Sequence, residues 1–580
     1  MARPARTVAF TTNPLLKVKL PAWRSQVAVM VLALAFGALV ARAVWLQVVT
    51  DDFLQRQGES RYARTLELPA TRGKIMDRNG TVLATSLPAK AIWAIPEDVE
   101  APPEKLAELA RLLGVSQKEL RAKLSAEDRK FVYLHPQVES AVAERIAALD
   151  ITGIHQRRTF KRFWPEGETL AHVVGFTNQD GLGQEGIELA QQQGLSGRPG
   201  SRRVIKDRLG RVIEDVRAVN EPHDGRDLYL SIDTKVQYLT FNAVRDAVQT
   251  HRAKAAAAVV VDVQTGEVLA LVNLPTYNPN ERGQLTGAQL RNRALTDTFE
   301  PGSTMKAFSI ALGLDSGKFK PDTVIQTAPG RLTIGSATIG DAHPHGALTV
   351  EQVLQKSSNV GTAKIALAMP PQRMWEMFAA SGFGQVPSIG FPGAVAGRLR
   401  PAKSWRPIEQ ATMSYGHGIS VSLIQMARAY TVFARDGDMI PLTFQKSEQT
   451  AAGVQVFKPE TARAVRHMLE LAAGPEGTAP QAQIPGYRVA GKTGTAHKLV
   501  GGQYANKYVA SFIGFAPASN PRVVIAVMVD EPSAGKYYGG LVAAPVFAKI
   551  AADVMRALRI EPDAPFQPPV MPAVPVQEST

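Results

Sequence analysis

A long apolar run lies close to the N-terminus of the chain. Residues 27–41 read VAVMVLALAFGALVA, 15 consecutive residues without a charged or polar side chain, and apolar residues resume after Arg42. A helix over residues 26–49 would be about 36 Å long, enough to cross the roughly 30 Å of hydrocarbon in a bilayer. Arg42 lies near one end, where its long side chain can reach the interface. The run therefore predicts a transmembrane helix over residues 25–49.

Charges on either side of the run predict its orientation. Residues 1–24 hold five Lys or Arg residues and no acidic residue, whereas Asp51 and Asp52 follow the run. Because positively charged flanks stay in the cytoplasm, we expect residues 1–24 to form a cytoplasmic tail and the rest of the chain to be exported. A cleaved signal peptide is the alternative, since Ala41-Arg42-Ala43 has the form of an A-x-A cleavage site. Both interpretations predict an exported body.

The composition excludes several classes of protein. The 580 residues include no cysteine, which excludes disulfides, thiolate nucleophiles and iron–sulfur clusters. Of the formal net charge of +14, six positive charges lie within residues 1–50. The rest of the chain therefore carries a mild excess, which is more typical of a solvated surface than of a nucleic-acid groove. We expect no nucleic-acid partner.

The body divides into two regions and a tail. Residues 50–224 are rich in charge, and leucines at helical spacing predict helices within residues 101–149. In residues 225–560, long apolar strands such as 255–263 alternate with helices, an α/β pattern. Residues 561–580 contain six prolines and are predicted to be a disordered tail.

One stretch imitates a nucleotide-binding loop. Residues 486–493 match the pattern G-x-x-x-x-G-K-[ST]. A phosphate-binding loop must follow a buried strand and open a helix. Here prolines and glutamines precede the stretch, and Gly494, Gly501 and Gly502 follow it. We therefore reject the nucleoside-triphosphatase interpretation.

Ser303 and Lys306 form an S-x-x-K element. An apolar helical stripe follows, which predicts Ser303 at a helix N-terminus with Lys306 one turn further on and facing the same way. A serine hydroxyl becomes a nucleophile when a neighbouring base removes its proton, and a lysine is such a base where burial and positive neighbours lower its pKa. Ser533 and Lys536 repeat the spacing, but no helical pattern follows them. The alternative for Ser303 is an ordinary helix N-cap.

Two companion elements favour the catalytic interpretation. Ser357 and Asn359 form the one S-x-N of the chain, and Lys492, Thr493 and Gly494 form its one K-T-G. The elements S-x-x-K, S-x-N and K-T-G in this order are the acyl-transfer set of penicillin-binding proteins and class A β-lactamases. The set predicts a serine acyltransferase.

Further segments carry a resemblance to one family. They are residues 72–80 (RGKIMDRNG), 183–188 (GQEGIE), 277–280 (YNPN), 414–418 (SYGHG) and 537–540 (YYGG). With the three elements above, the chain resembles septal class B penicillin-binding proteins from the membrane span to about residue 555. The resemblance implies a single N-terminal transmembrane helix and an α+β pedestal domain of the dimerisation type at 50–224. It also implies an α/β transpeptidase domain at 225–560, a serine β-lactamase-like antiparallel sheet flanked by helices.

The resemblance implies a role for each residue of the first two elements. Ser303 would attack the carbonyl of a D-Ala-D-Ala peptide, and Lys306 would take its proton. Ser357 would relay a proton to the leaving amine, and Asn359 would orient Lys306 and the substrate amide. No metal and no cofactor are implied. The stretch 341–345 (DAHPH) could suggest metal ligands, but a proline between two histidines without a third ligand nearby favours a loop.

The third element is implied to flank the substrate. Lys492, Thr493 and Thr495 would supply charge and hydroxyls for the terminal carboxylate. Gly494 has no Cβ, so the acyl group could lie against the backbone. The backbone N–H groups of Ser303 and Thr495 would form the oxyanion hole, in which each donor contributes about 3–4 kcal/mol.

The implied function is a peptidoglycan D,D-transpeptidase that cross-links stem peptides at the division septum and is a target of β-lactams. Its substrates would be stem peptides of the lipid-linked precursor and of nascent glycan. It would be a single-pass protein of the bacterial inner membrane with a periplasmic catalytic domain. Glycan strands would come from a separate SEDS polymerase, FtsW, among other divisome proteins.

Several alternatives were weighed against this function. An elongation-specific class B enzyme would perform the same chemistry and stays open. A class A β-lactamase needs a glutamate in an E-x-x-L-N segment between S-x-N and K-T-G, and the sequence has no such segment there. The 50–224 region carries pedestal motifs, which disfavours a bifunctional polymerase. A membrane sensor would need a cytoplasmic signalling domain, for which 24 residues are too few.

Overall fold

The computed structural model describes residues 21–49, 63–125, 131–206, 212–568 and 570–571. The chain forms two units. The first comprises the described residues of Met1–Leu68 and Pro199–Pro222, and the second comprises those of Pro69–Arg198 and His223–Thr580. All the candidate site residues lie in the second unit.

Strands and helices alternate along the described residues. The strands are β1 (Ala63–Leu68), β2 (Ile75–Met76), β3 (Val82–Ala94), β4 (Val132–Glu139), β5 (Ile154–Phe163), β6 (Gly200–Lys206), β7 (Val212–Asn220), β8 (Leu228–Tyr229), β9 (Ala255–Asp262), β10 (Val268–Leu274), β11 (Val324–Gln326), β12 (Arg331–Ile334), β13 (Ala337–Gly340), β14 (Ala347–Thr349), β15 (Asp438–Met439), β16 (Val454–Gln455), β17 (Ala490–Val500), β18 (Gln503–Ala516) and β19 (Val523–Asp530). The helices are α1 (Ala22–Val44), α2 (Pro103–Leu113), α3 (Gln117–Leu124), α4 (Ser140–Ala148), α5 (Ala171–Val174), α6 (Gly186–Ala190), α7 (Gln192–Leu195), α8 (Thr234–His251), α9 (Gly287–Leu290), α10 (Arg293–Thr296), α11 (Lys306–Asp315), α12 (Val350–Gln355), α13 (Asn359–Leu367), α14 (Pro371–Ala380), α15 (Pro407–Met413), α16 (Leu423–Ala434), α17 (Pro459–Ala473) and α18 (Gly539–Ala557).

The first unit holds the apolar helix. α1 begins after Pro21 and has no buried residue. With part of the π-helical turn that follows it, the stretch Ala22–Gln47 contains an 18-residue window with a mean hydropathy of 2.4, and it is long and apolar enough to cross a membrane. The helix begins three residues before the predicted 25–49 span. Of the predicted cytoplasmic tail, residues 1–20 lie outside the described residues. An antiparallel sheet in the order β1-β6-β7 completes the unit.

A mixed sheet forms the N-terminal part of the second unit. β3 is 13 residues long, and β2, β4 and β5 pair antiparallel with it. β8 pairs parallel with β2. On one face of this sheet, Ile92 and Leu134 pack with Leu109 of α2 and Ile146 of α4 in a common core. Helices therefore cover one face of β3, β4 and β5.

The expectation of helices within residues 101–149 is wrong in part. α2, α3 and α4 lie there, but the strand β4 separates α3 from α4. Burial alternates at the start of β4, where Leu134 is buried and Tyr133 is exposed. This is the period of two of a half-buried strand, which Pro136 interrupts and so conceals in the sequence.

A five-stranded sheet forms the centre of the second unit. Its order is β10-β9-β19-β18-β17, and every neighbouring pair is antiparallel. The strand predicted at 255–263 is confirmed as β9, and all its residues are buried. Burial on both faces explains why its sequence is continuously apolar.

Helices cover both faces of the central sheet. Ala256 and Ala258 of β9 pack in one core with α8 and α18. Ala257 and Val259, which point to the opposite face, pack in a second core with α11 and α16. This arrangement confirms the predicted antiparallel sheet flanked by helices. The S-x-x-K element lies at the start of α11, and the K-T-G element lies in β17.

The described part of the predicted tail contacts the body of the second unit. Asp563 accepts hydrogen bonds from the backbone N–H of Arg488 at 2.7 Å and from the hydroxyl of Ser519 at 2.6 Å. The prediction of disorder is wrong for the stretch around Asp563, because this aspartate forms hydrogen bonds with residues that are distant in the sequence. Residues 569 and 572–580 of the predicted tail lie outside the described residues.

Candidate active site

The S-x-x-K element lies at the start of α11. Gly302–Met305 form a 3-10 turn, and Lys306 is the first residue of α11. The sequence predicts an α-helix from Ser303, whereas the structure places one tighter turn before it. Ser303 is 6% exposed and Lys306 is fully buried. The hydroxyl of Tyr430 donates to the carbonyl of Thr304 at 2.8 Å and fixes the turn on α16.

Two glycines allow the other segments to approach this turn. A Cβ on Gly416, in the SYGHG loop, would lie 2.2 Å from the carbonyl oxygen of Gly302. A Cβ on Gly494, in the K-T-G element of β17, would lie 2.6 Å from the carbonyl oxygen of Pro301. The resemblance implies that the missing Cβ of Gly494 leaves room for an acyl group. The structure gives a different reason, because the backbone before Ser303 occupies that space.

The S-x-N element contacts Lys306 directly. Nζ of Lys306 donates to the backbone carbonyl oxygen of Ser357 at 2.5 Å and to its Oγ at 3.0 Å. Ser357 has a φ of 60°, a left-handed conformation that is uncommon for residues other than glycine. Such strain persists where the surroundings hold it, and it is frequent at functional sites. The structure thus brings the first two elements together through one buried contact.

Asp341 holds the N-terminus of the helix that carries Asn359. Its carboxylate accepts from the hydroxyl of Ser358 at 2.7 Å and from the backbone N–H of Val360 at 2.9 Å. The side-chain amide of Asn359 donates to the carbonyl of Gly340 at 3.0 Å. Sequence reasoning considered Asp341 only as a metal ligand and missed this positioning role. No local pattern connects an aspartate with a serine 17 residues away.

Lys492 is fully buried on β17. Its Nζ donates to the hydroxyl oxygens of Thr478 and Thr493, both at 3.1 Å. The hydroxyls of those two threonines are 3.1 Å apart. Thr478 follows α17 and was not found from the sequence, because an isolated threonine in a loop carries no signal.

The hydroxyl of Thr495 has a partner within the protein. It accepts from the backbone N–H of Gly539 at 2.9 Å, at the start of α18. The role implied for this hydroxyl was binding of a substrate carboxylate. The structure adds a second one, since the hydrogen bond links β17 to α18 at the YYGG segment.

His417, in the SYGHG loop, lies near Lys306. Burial, with the electrostatic effects of Lys306 and His497, lowers the pKa of His417 to about 4. The imidazole is therefore neutral at neutral pH and adds no positive charge to the site. Burial also raises the pKa of the neighbouring Tyr415 hydroxyl, so that group stays protonated.

The two lookalike motifs lie in other settings. Lys492 lies within the strand β17, whereas a phosphate-binding lysine would lie at the start of a helix. Ser533 lies in a loop, where its hydroxyl donates to the carbonyl of Arg252 at 2.8 Å. Among the described residues, no group of three or more His, Asp or Glu side chains is arranged to hold a metal ion.

Comparisons with known proteins match both regions of the chain. A family model described as the penicillin binding protein transpeptidase domain matches residues 256–552, and one described as the penicillin-binding protein dimerisation domain matches residues 67–230. A probable peptidoglycan D,D-transpeptidase PenA of Neisseria gonorrhoeae is 44% identical over 542 residues, 93% of each chain. The peptidoglycan D,D-transpeptidase FtsI of Escherichia coli is 41% identical over 549 residues, again 93% of each chain. The solved TP domain of Burkholderia pseudomallei penicillin-binding protein 3 is 53% identical, with a TM-score of 0.54, and covers 58% of this chain and 98% of that one.

Proposed function

Because the chain belongs to the penicillin-binding protein transpeptidases, we propose that Ser303 is the nucleophile of its reaction. The protein is a peptidoglycan D,D-transpeptidase, a serine-type acyltransferase. We further propose that its pedestal domain spans residues 50–224 and its transpeptidase domain residues 225–560. The observation that carries the site assignment is the buried contact between Lys306 and Ser357.

Acylation follows from this contact. Oγ of Ser303 bonds to the carbonyl carbon of the penultimate D-alanine while Lys306 takes the hydroxyl proton. The backbone N–H groups of Ser303 and Thr495 stabilise the oxyanion. The amide bond then breaks, and the terminal D-alanine leaves with a proton that Ser357 relays from Lys306. The amine of an acceptor stem peptide then attacks the ester carbonyl; the new amide bond forms, the bond to Oγ breaks, and Lys306 passes a proton from the amine to Oγ of Ser303.

The K-T-G strand binds the donor peptide. Lys492 and Thr493 supply positive charge and a hydroxyl for the terminal carboxylate, an interaction that only a peptide with a free C-terminus can make. The hydroxyl of Thr478 is hydrogen-bonded to Nζ of Lys492 and to the hydroxyl of Thr493, so Thr478 acts as a positioning residue. Asn359 orients the substrate amide beside Lys306.

The relatives of the chain support a role in cell division. Relatives named FtsI support the septal assignment over the elongation enzyme. The apolar helix Ala22–Gln47 supports a single-pass anchor in the inner membrane, with residues 1–24 in the cytoplasm and the catalytic domain in the periplasm. We propose that glycan strands come from the SEDS polymerase FtsW, and that FtsW and other divisome proteins are partners of this chain.

Intact mass after incubation with a labelled penicillin tests the nucleophile. The wild-type chain should gain one acyl group, and the labelled peptide should contain Ser303. Ser303→Ala should abolish the gain and leave the melting temperature unchanged, because the side chain has little packing volume to lose. Ser533→Ala is the matched control from the second S-x-x-K, and it should label fully. A label that survives in Ser303→Ala would overturn the assignment.

A further inference from the structure

An exposed aromatic cluster lies on the mixed sheet of the second unit, away in sequence from the three catalytic elements. Trp93 of β3 is in register with Tyr133 of β4 and with His155 of β5. The rings of Trp93 and His155 stack with centroids 4.3 Å apart, and Phe131 lies 5.0 Å from Trp93. These four residues, Trp93, Phe131, Tyr133 and His155, form the aromatic platform.

The platform occupies the face that the helices leave uncovered. Neighbouring residues in the same strands, Ile92 and Val132 among them, point to the opposite face and pack with α2 and α4. Phe131 is 44% exposed and Tyr133 is 42% exposed. Trp93 and His155 are half-buried beside them. A contiguous group of rings that is partly open to solvent marks an interaction site, because solvation of such a patch is unfavourable.

The same face is positively charged. β5 reads IHQRRTFKRF, with four Lys or Arg residues and no acidic one, of which Arg158 and Arg162 alternate to the opposite face. Arg157 and Lys161 lie two and six residues after His155 and so share its face. Lys161 lies 3.3 Å from the exposed carboxylate of Glu139, an ion pair that solvent screens. The platform thus combines flat rings with a positive edge.

We propose that the aromatic platform binds the glycan strand of uncross-linked peptidoglycan. Pyranose rings present flat C–H faces of weak positive charge, which complement the negative faces of aromatic rings. Stem peptides end in carboxylates, which complement Arg157 and Lys161. The row of rings spans three strands, about 10 Å, which is the scale of a disaccharide.

A strand held on the platform would keep further stem peptides close to the enzyme, which raises their effective concentration. The inference takes its ligand from the transpeptidase assignment, but the two can fail separately. The binding probe is a set of isolated glycan strands whose stem peptides have been trimmed of D-Ala-D-Ala. Such strands cannot acylate Ser303, so their binding reports a second site.

The test compares full-length variants in detergent. Phe131→Ser with Tyr133→Ser should weaken binding of the trimmed strands by about tenfold, the effect of losing two ring contacts, while the rate of penicillin acylation stays unchanged. Tyr238→Ser is the matched control, since Tyr238 is 54% exposed on α8 and outside the platform. Should the double variant unfold, Tyr133→Ser alone serves, because it changes one exposed ring.

A second arm separates the sugar contacts from the charge contacts. Lys161→Glu should weaken binding of the trimmed strands at low salt and should not affect strands from which an amidase has removed the stem peptides. Binding of trimmed strands by the double variant at wild-type affinity would overturn the proposal. The same holds if glycan affinity is unchanged while a divisome protein no longer co-purifies, since the platform would then be a protein interface. Loss of penicillin labelling in the wild type would instead contradict the transpeptidase assignment.

Discussion

Both lysines of the site are buried, and oxygen atoms surround each of them. Lys306 donates to the carbonyl and hydroxyl of Ser357, and Lys492 donates to Thr478 and Thr493. An amino group taken out of water is costly unless such acceptors replace its hydration. Ser357 and Thr478 therefore stabilise the buried lysines as well as serving the chemistry, and a substitution at either lysine changes packing and hydrogen bonding together.

The substitution Lys306→Met removes the basic amino group and keeps most of the side-chain volume. Methionine has a similar length and keeps the buried space filled, whereas Lys306→Ala would also leave a cavity that costs about 2–5 kcal/mol. We expect Lys306→Met to slow penicillin acylation by about 10²–10⁴-fold, the contribution of a positioned base, with little change in melting temperature. The measurement is the second-order acylation rate constant beside a thermal melt.

A matched control variant tests whether the loss of acylation rate is specific to Lys306. Lys364 of α13 donates its Nζ to the carbonyl of Gln326 at an exposed position, so Lys364→Met should leave acylation unchanged. If Lys306→Met acylates at the rate of Lys364→Met, the proton acceptor is another residue.

At the scale of the elements, a buried triad of charged side chains connects two of the segments that carry the resemblance to the family. Glu188 of α6 is fully buried, and its carboxylate accepts from Nε of Arg72 at 2.5 Å and from Nε of Arg162 at 2.7 Å. Arg72 belongs to the RGKIMDRNG segment and Glu188 ends the GQEGIE segment, while Arg162 lies on β5. The guanidinium of Arg72 also donates to the backbone carbonyls of Glu188 and Gly181. The motifs of this region therefore have a structural function.

Glu188→Ala should destabilise the protein strongly. The substitution leaves two guanidinium groups buried beside each other without their shared carboxylate, which costs about 3–5 kcal/mol. Denaturant unfolding of the full chain measures the change. Glu168→Ala, at an exposed position, is the control and should stay within about 0.5 kcal/mol of wild type. An equal loss in both variants would show that the triad adds nothing specific.

The sequence predicted the features that depend on a few consecutive residues. S-x-x-K and K-T-G each fit within one turn or one strand, and the apolar run of β9 is continuous, so pattern alone located them. Asp341 and Thr478 were missed because their partners lie 17 and 14 residues away and such distances leave no periodic signal. β4 was missed because Pro136 breaks its alternation, and the contacts of Asp563 depend on a surface formed only after folding.

At the scale of the whole molecule, the matched transpeptidase domain assigns cross-linking to this chain, and the proposed function takes its glycan strands from a partner. The apolar helix is a surface that such a partner could use within the membrane. Gly37 and Ala41 lie one turn apart on α1, and a Cβ at Gly37 would meet nothing within 4 Å. Small residues at this spacing allow a second helix to approach closely.

Replacement of residues 26–49 by an unrelated apolar helix tests this surface. The chimera should keep its membrane anchor and its penicillin labelling, because neither depends on helix sequence. It should fail to support division in cells depleted of the native protein, and Gly37→Leu alone should weaken complementation, since the larger side chain blocks close helix contact. Leu39→Ile is the matched control and should complement fully. Filamentous cells after depletion would support the septal role, whereas rounded cells would assign the protein to elongation. Full complementation by the chimera would show that the helix acts only as an anchor.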